Sequence, residues 1–319
     1  MRKLKQHSNN NYTIGFNSAD DAAAYERDNG RILLQSLDFF TPIVDDPYEF
    51  GRIAAVNSLS DIYAMGGQPL FGLNIAAFPE DTLPLEILTD IMRGGQDIAS
   101  EAGIPILGGH TIKDKEIKYG MCITGQVDKS NLKRNDNAKP GDCLILTKPL
   151  GTGIISTAIK REGLSGQLFS KALEVMTALN KNSSQEMVNF KVNACTDITG
   201  YGLLGHLLEM CIGSNVSSEI YYNDVPFING VEELAKNDII PGGTKKNLDY
   251  VKEYINSSST ITKTNELMLA DAQTSGGLLI SVDQSDCKKL LKVINSTNDL
   301  SAECIGIIIE KATNSIYIK

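Results

Sequence analysis

At 319 residues the chain is too long for one ordinary hydrophobic core and suits two domains of roughly 150 residues each. With 42% hydrophobic and 22% charged residues it has a globular composition, and no run approaches the roughly 18 apolar residues that span a bilayer. Its net charge of −9 repels phosphate backbones, which argues against nucleic-acid partners and means that an anionic ligand would need bridging cations, and with no spanning run no membrane partner is expected. The leader MRKLKQHSNNNY is basic but has no apolar stretch behind it, so it does not read as a secretory signal, and the default location is cytoplasmic. Six scattered cysteines form no CxxC pair and have no zinc-finger spacing, so they read as buried thiols in a reducing compartment.

In chain order, Arg31–Asp38 predicts a strand, and Tyr48–Met65 a helix that stops at Gly66-Gly67. Leu70–Ala77 predicts a strand, Pro84–Ala102 a helix with proline in its first turn, and Ile104–Leu107 and Lys118–Val127 two more strands. This mixed pattern predicts helices on one face of a sheet. The polar segment DKSNLKRNDNAKPG reads as a linker, giving domains over 1–135 and 136–319. The second half predicts a strand at Asp142–Thr147, the glycine turn KPLGTG, and a helix from about Ile154. Helices follow at Lys171–Asn180, Gln185–Asn189 and Leu203–Cys211. Strands follow at Ser218–Tyr222, Leu278–Val282, Cys304–Ile309 and Ser315–Ile318, with a loose loop at Asn256–Thr264. The fold class is α/β (α+β) in two domains.

Common nucleotide signatures are missing: there is no GxxxxGK[ST], no GxGxxG after the first strand and no kinase motif. Carboxylates in special settings stand out instead. Asp20 and Asp21 precede Ala22-Ala23-Ala24, small residues that leave room around the charge. Asp38 closes an apolar strand, Asp61 lies inside an apolar helix, and Asp197 precedes Thr199-Gly200-Tyr201-Gly202. Each has a structural alternative: a turn or helix cap for Asp20, Asp21, Asp38 and Asp197, and a solvated face for Asp61. As a set they fit magnesium, which takes oxygen ligands and is usually held by one or two carboxylates together with phosphates. Gly108-Gly109-His110-Thr111, Gly151–Gly153 and Ser275-Gly276-Gly277 read either as phosphate-cradling turns or as plain turns.

SADDAAAY (18–25), LDFFTPIVDDPYEFGRIAAVNSLSDIYAMGG (37–67), AGIPILGGHTI (102–112), LTKPLGTG (146–153), TDITGYGLLGHLLEMC (196–211), PGGTKKN (241–247) and DAQTSGGLL (271–279) together resemble selenophosphate synthetase (selenide, water dikinase). The likeness runs in order from about residue 12 to the C-terminus. The shorter DD, GGH and TSGG elements also occur in aminoimidazole ribonucleotide synthetases, thiamine-phosphate kinases and hydrogenase-maturation proteins. The resemblance implies two α/β domains, with N-terminal domains pairing into a shared barrel in a homodimer. It implies that ATP, selenide and water give selenophosphate, AMP and orthophosphate. It implies Asp21, Asp61 and Asp197 as Mg2+ ligands, and Asp38 and Asp61 as ATP-binding aspartates. Ser18-Ala19-Asp20 would contact ATP, and Gly109-His110-Thr111 would contact the nucleotide from the partner subunit.

The family also carries a leading segment with a reactive Cys or selenocysteine and a Lys, which would fall ahead of the match and so before Met1; no catalytic residue is therefore assigned within 1–319. One explanation is a selenocysteine UGA codon read as a stop, so that the chain as written begins at the next Met. The other is an ATP-binding relative or a truncated, non-catalytic ATP-binding dimer. The DNA upstream of Met1 distinguishes the two. A smaller departure is Ala272, where the family pattern usually has proline.

Overall fold

The computed structural model describes residues 12–15, 20–27, 30–163, 166–297 and 300–319. It divides into two compact units, one of Met1–Leu132 with Met176–Lys181 and one of Lys133–Val175 with Asn182–Lys319.

The first unit contains β1 (Tyr12–Ile14), β2 (Ala23–Glu26), β3 (Arg31–Phe40), α1 (Pro47–Ala64), β4 (Gln68–Phe78), α2 (Leu85–Ala102), β5 (Ile106–Lys113) and β6 (Lys118–Asp128). Its six strands are ordered β1-β2-β3-β6-β4-β5, antiparallel except for the β4–β5 pair. β3 alternates as a half-buried strand should: Ile32 and Leu34 are fully buried while Gln35, Leu37 and Phe39 face out. α1 starts where Asp46 caps the Glu49 N–H at 3.0 Å, with Pro47 in the first turn. It is buried nearly all round, lying on β3 and β6 while α2 packs on it. Close approach of the two helices requires glycine: a Cβ on Gly51 would meet the Ile91 carbonyl oxygen at 1.9 Å, and one on Gly94 the Tyr48 oxygen at 2.0 Å. Phe50 stands edge-on to both Phe40 and Tyr119, with ring centres 5.8 and 6.4 Å apart.

The second unit contains β7 (Cys143–Leu146), α3 (Thr152–Glu162), most of α4 (Gln167–Thr177), nearly all of α5 (Lys181–Met187), β8 (Val192–Asp197), α6 (Gly202–Ser214) and β9 (Ser217–Ile220). There follow α7 (Val231–Lys236), α8 (Gly242–Val251), β10 (Ile255–Ser257), α9 (Lys263–Leu269), β11 (Leu278–Val282), α10 (Gln284–Thr297), β12 (Glu303–Ile309) and β13 (Ile316–Ile318). The sheet order is β10-β13-β9-β12-β7-β11-β8. β7 and β11 are buried on both faces, as central strands covered on each side must be. Leu144, Leu146 and Leu279 join α6 residues Leu203, Leu204, Leu207 and Leu208 in one apolar cluster. Among the described residues no helix is long and apolar enough to cross a membrane.

The predicted elements of the first unit are present, with three differences. β3 runs on to Phe40, so Asp38 lies within the strand rather than at its end, opposite Met121. Gly108-Gly109-His110-Thr111 is not a turn but the body of β5, because parallel pairing brings Gly109 so close to β4 that a Cβ would meet the Asn74 oxygen at 2.2 Å. Ala22 and Ala24 are buried, so their smallness serves packing rather than open space around Asp21. In the second unit part of the expected loop at Asn256–Thr264 is strand β10, which pairs with β13. β1, β2, β8, α7, α8, α9 and α10 carried no prediction. Cys122 and Cys304 are only half-buried, while the other four cysteines are buried, and all six are free thiols.

Candidate functional site

In the first unit the candidate carboxylates are positioned by α1. Ser58 sits mid-helix, where its hydroxyl donates to the Ala54 carbonyl at 2.9 Å and reaches the Asp38 carbonyl at 3.1 Å. The Met121 N–H donates to the Ser58 hydroxyl oxygen at 3.1 Å. A helix side chain thus enters the ladder where β3 and β6 meet and pins the Asp38 backbone. From the preceding residue of α1, the Asn57 amide donates to Asp38 Oδ2 at 3.0 Å. Burial pushes the Asp38 carboxyl above its ordinary range, and the Asn57 hydrogen bond pulls it back. Asn57 and Ser58 were not singled out in the sequence; the available signal was two polar residues on an apolar helix one turn before Asp61.

Asp61 lies in the last turn of α1, half-buried, and Asp21 lies just before β2. A carboxylate oxygen of each stands within 4.8 Å of the other. Two anions at that distance repel by roughly 3 kcal/mol at an effective dielectric constant of 20, which a divalent cation between them reverses. The donor set is all oxygen, which fits Mg2+. Asp20 precedes Asp21 and is half-buried, while Ser18 and Ala19 lie outside the described residues. His110 and Thr111 are exposed on β5, the edge strand of the sheet, together with Gly109.

In the second unit three of the quoted motifs meet at one end of the sheet. β11 lies between β7 and β8 and runs opposite to both, so its start adjoins their C-terminal ends. Asp197, buried, is the last residue of β8 and pairs with Leu278. It is not a helix-entry cap, since α6 begins after Tyr201 without a side-chain cap. The Gly276-Gly277 pair is required there by contact: a Cβ on Gly276 would meet the Ile198 oxygen at 2.0 Å, and one on Gly277 the Lys148 nitrogen at 2.5 Å. Lys148 is buried beside them and its ammonium donates to the Ser275 carbonyl at 2.8 Å. Burial lowers its pKa to about 7, opposed by the charge of Asp197.

The KPLGTG turn has a structural role. The N–H groups of Gly151 and Thr152 donate to Gln273 Oε1 at 3.0 and 3.2 Å. Those of Gly153 and Ile154 donate to Asp271 Oδ2 at 3.1 and 3.2 Å. A buried carboxylate and a buried amide from the DAQTSGG segment therefore occupy the start of α3, where an anion would otherwise bind. Thr244 donates to the other Asp271 oxygen at 2.9 Å, and the Gln273 amide to Oδ2 at 2.9 Å. Burial nonetheless raises the Asp271 carboxyl to about 7. The sequence held both partners in plain view but gave no sign that they satisfy this turn.

The architecture is that of the AIR synthase related proteins: the family's N-terminal domain matches residues 19–127 and its C-terminal domain residues 139–319. Among relatives, the selenide, water dikinase of Myxococcus xanthus (strain DK1622) is 50% identical over 295 residues, 92% of this chain and 83% of that protein. The selenide, water dikinase of Caldanaerobacter subterraneus subsp. tengcongensis is 46% identical over 311 residues, 98% of this chain and 90% of that protein. The chain belongs to the selenide, water dikinase family. Solved structures share the fold alone. Thiamine-monophosphate kinase from Stenotrophomonas maltophilia K279a superposes with a TM-score of 0.70 at 17% identity, over 97% of this chain and 92% of that one. A HypE-HypF complex gives 0.71 at 20% identity, over 95% and 90%.

Proposed function

We propose that this chain is a selenophosphate synthetase: it converts ATP, selenide and water to selenophosphate, AMP and orthophosphate. The observation that carries the reading is 40–50% identity to selenide, water dikinases over 92% or more of the chain. The γ-phosphoryl group passes to selenide, breaking the γ-phosphate's P–O bond and forming a P–Se bond. Water then cleaves the remaining diphosphate to AMP and orthophosphate. Asp21, Asp61 and Asp197 hold magnesium, which when bound neutralises charge developing on the transferred phosphoryl group. Asp38 and Asp61 bind the nucleotide, Asp38 being oriented by Asn57 and Ser58. The Ser18-Ala19-Asp20 stretch contacts ATP.

The working form is a homodimer in which Gly109-His110-Thr111 reaches the partner's nucleotide. Support comes from the first unit's sheet. Leu37, Cys122 and Leu73 stand in one row across β3, β6 and β4, and Leu37 is 54% and Leu73 36% exposed. Leu107 and Ile112 on the edge strand are exposed as well. A sheet face this apolar is the kind that association covers.

The test is selenide-dependent conversion of ATP to AMP by protein expressed with its upstream codons included. AMP and orthophosphate in equal amounts, formed only with selenide, are expected. Formation of ADP as the end product, or turnover indifferent to selenide, sinks the reading.

A further inference from the structure

Three thiols that play no part in the proposed reaction converge on one face of the second unit's sheet. They are Cys143 at the start of β7, Cys304 near the start of β12 and Cys287 in the first turn of α10. One sulfur from each lies within 4.8 Å of the other two, and Cys287 Sγ to Cys304 Sγ is 3.8 Å. Cys143 and Cys287 are 8% and 5% exposed, and Cys304 is half-buried.

The convergence depends on a distortion of the strand. Cys143 pairs with Ile307, and Cys304 lies three residues before Ile307. In a regular strand an odd separation puts two side chains on opposite faces. A register shift between Cys304 and Gly306 inserts one residue, so that Cys304 pairs with Ile145 and returns to the face of Cys143. Ile305 and Ile308 remain in the apolar core on the opposite face with Leu144 and Leu146. α10 covers the thiol face, and Cys287 heads its buried stripe of Cys287, Leu290 and Ile294.

The spacing is that of a metal site. Two sulfurs bound to one zinc ion at about 2.3 Å in tetrahedral geometry stand about 3.8 Å apart. A disulfide would require about 2.05 Å. Three thiolates select thiophilic ions over magnesium or calcium. Between the common d10 candidates, zinc(II) leaves a net charge of −1 on the buried site and copper(I) leaves −2, so burial favours zinc. Among the described residues no fourth Cys, His, Asp or Glu joins the cluster. The neighbouring Asp142 carboxylate is taken by Asn193, Ser281 and the Lys139 N–H. The half-exposed side at Cys304 leaves the fourth position to water.

We infer that Cys143, Cys287 and Cys304 bind one zinc ion, clamping α10 to β7 and β12. The site lies towards the end of β7 away from Lys148.

The test uses the full-length protein, purified reduced and without chelator. Metal analysis is expected to give about one zinc per chain. Cobalt(II) added to chelator-stripped protein is expected to give a thiolate-to-metal charge-transfer band that zinc abolishes. Zinc affinity, measured against a chromophoric chelator, is expected to fall at least a hundredfold in Cys304→Ser and in Cys143→Ala. Cys122→Ser is expected to leave it unchanged. To separate binding from folding, each variant is melted in excess chelator, where it should match the stripped wild type; zinc should then raise the melting temperature of the wild type and Cys122→Ser but not of Cys304→Ser or Cys143→Ala. The inference is overturned by three titratable thiols with less than a tenth of a zinc per chain after zinc addition. It is equally overturned by a cobalt complex without the thiolate band, by zinc affinity unchanged in both variants, by binding of copper(I) but not zinc, or by a Cys287–Cys304 disulfide that persists under reducing conditions.

Discussion

Replacing Gly94 by alanine tests how α1 is held, and through it the setting of Asp38 and Asp61. The added Cβ would lie 2.0 Å from the Tyr48 carbonyl oxygen and 2.9 Å from the Arg52 nitrogen. Reaching even 3.0 Å requires the helices to part by at least about 1 Å, and the obstacle is backbone, so no rotamer change relieves it. Overpacking costs roughly 1–3 kcal/mol, and at a backbone contact the upper end or more applies. Exchanging glycine for alanine inside a helix returns about 1 kcal/mol. The net loss is about 2 kcal/mol, a fall of roughly 3 °C in melting temperature if the chain melts as one and about 4–8 °C if a unit of about 150–250 residues melts by itself. Because α1 also carries Asn57, Ser58 and Asp61, the ATP concentration for half-maximal rate should rise as well. The assay is thermal unfolding followed by circular dichroism, with and without magnesium and ATP, beside Gly243→Ala, whose Cβ meets nothing within 4 Å. A Gly94→Ala melting point within 1 °C of wild type would refute the packing argument.

Asp61→Asn and Asp21→Asn should each raise the magnesium concentration needed for half-maximal ATP turnover by tenfold or more while leaving the melting temperature without magnesium unchanged or higher; an unchanged magnesium requirement removes them from the site. Asp271→Leu strands the Gly153 and Ile154 N–H groups and the Thr244 and Gln273 donors, and should cost about 3–5 kcal/mol in urea unfolding, with Asp271→Asn milder because one acceptor survives. His206, buried with its Nε2 accepting from the Thr199 N–H at 3.2 Å and its Nδ1 facing Glu209, has its pKa lowered to about 4 by burial. The unfolded chain therefore takes up this proton first, and stability present above pH 6.5 is lost as pH falls from about 6.5 to 4, by up to about 3 kcal/mol. Unfolding measured between pH 4.5 and 7.5 should show that slope, and His206→Gln should flatten it.

The first unit was legible because its long elements show a clean period. α2 and the alternating β3 announce themselves by spacing, and α1, apolar nearly all round, by its length and its glycine stop. What escaped was set by tertiary context. β8 (VNACTD) is nearly all buried and made of small and polar residues, so it shows neither alternation nor an apolar run. α8 opens on two glycines, which argue for a turn until Thr244 is seen donating to Asp271. α10 could have been found, since Cys287, Leu290 and Ile294 follow helical spacing. The return of Met176–Lys181 to the first unit has no local signature, though Asn180 donates to Ser60 there at 2.9 Å. The candidate aspartates stood out in the sequence through their neighbours. Asn57, Ser58, Lys148 and Gln273 needed the fold to be seen.

The saturated start of α3 has a consequence for how this protein meets oxyanions. In many nucleotide enzymes a glycine turn ahead of a helix grips phosphate directly, and sulfate, vanadate or inorganic phosphate can lodge in the same turn. Here Asp271 and Gln273 have taken that place from within. Simple oxyanions gain no foothold at the turn, and occupancy by a nucleotide should follow free divalent cation rather than phosphate alone. Chelators are then expected to act as nucleotide antagonists, and the cell's magnesium level as a throttle on its use of ATP.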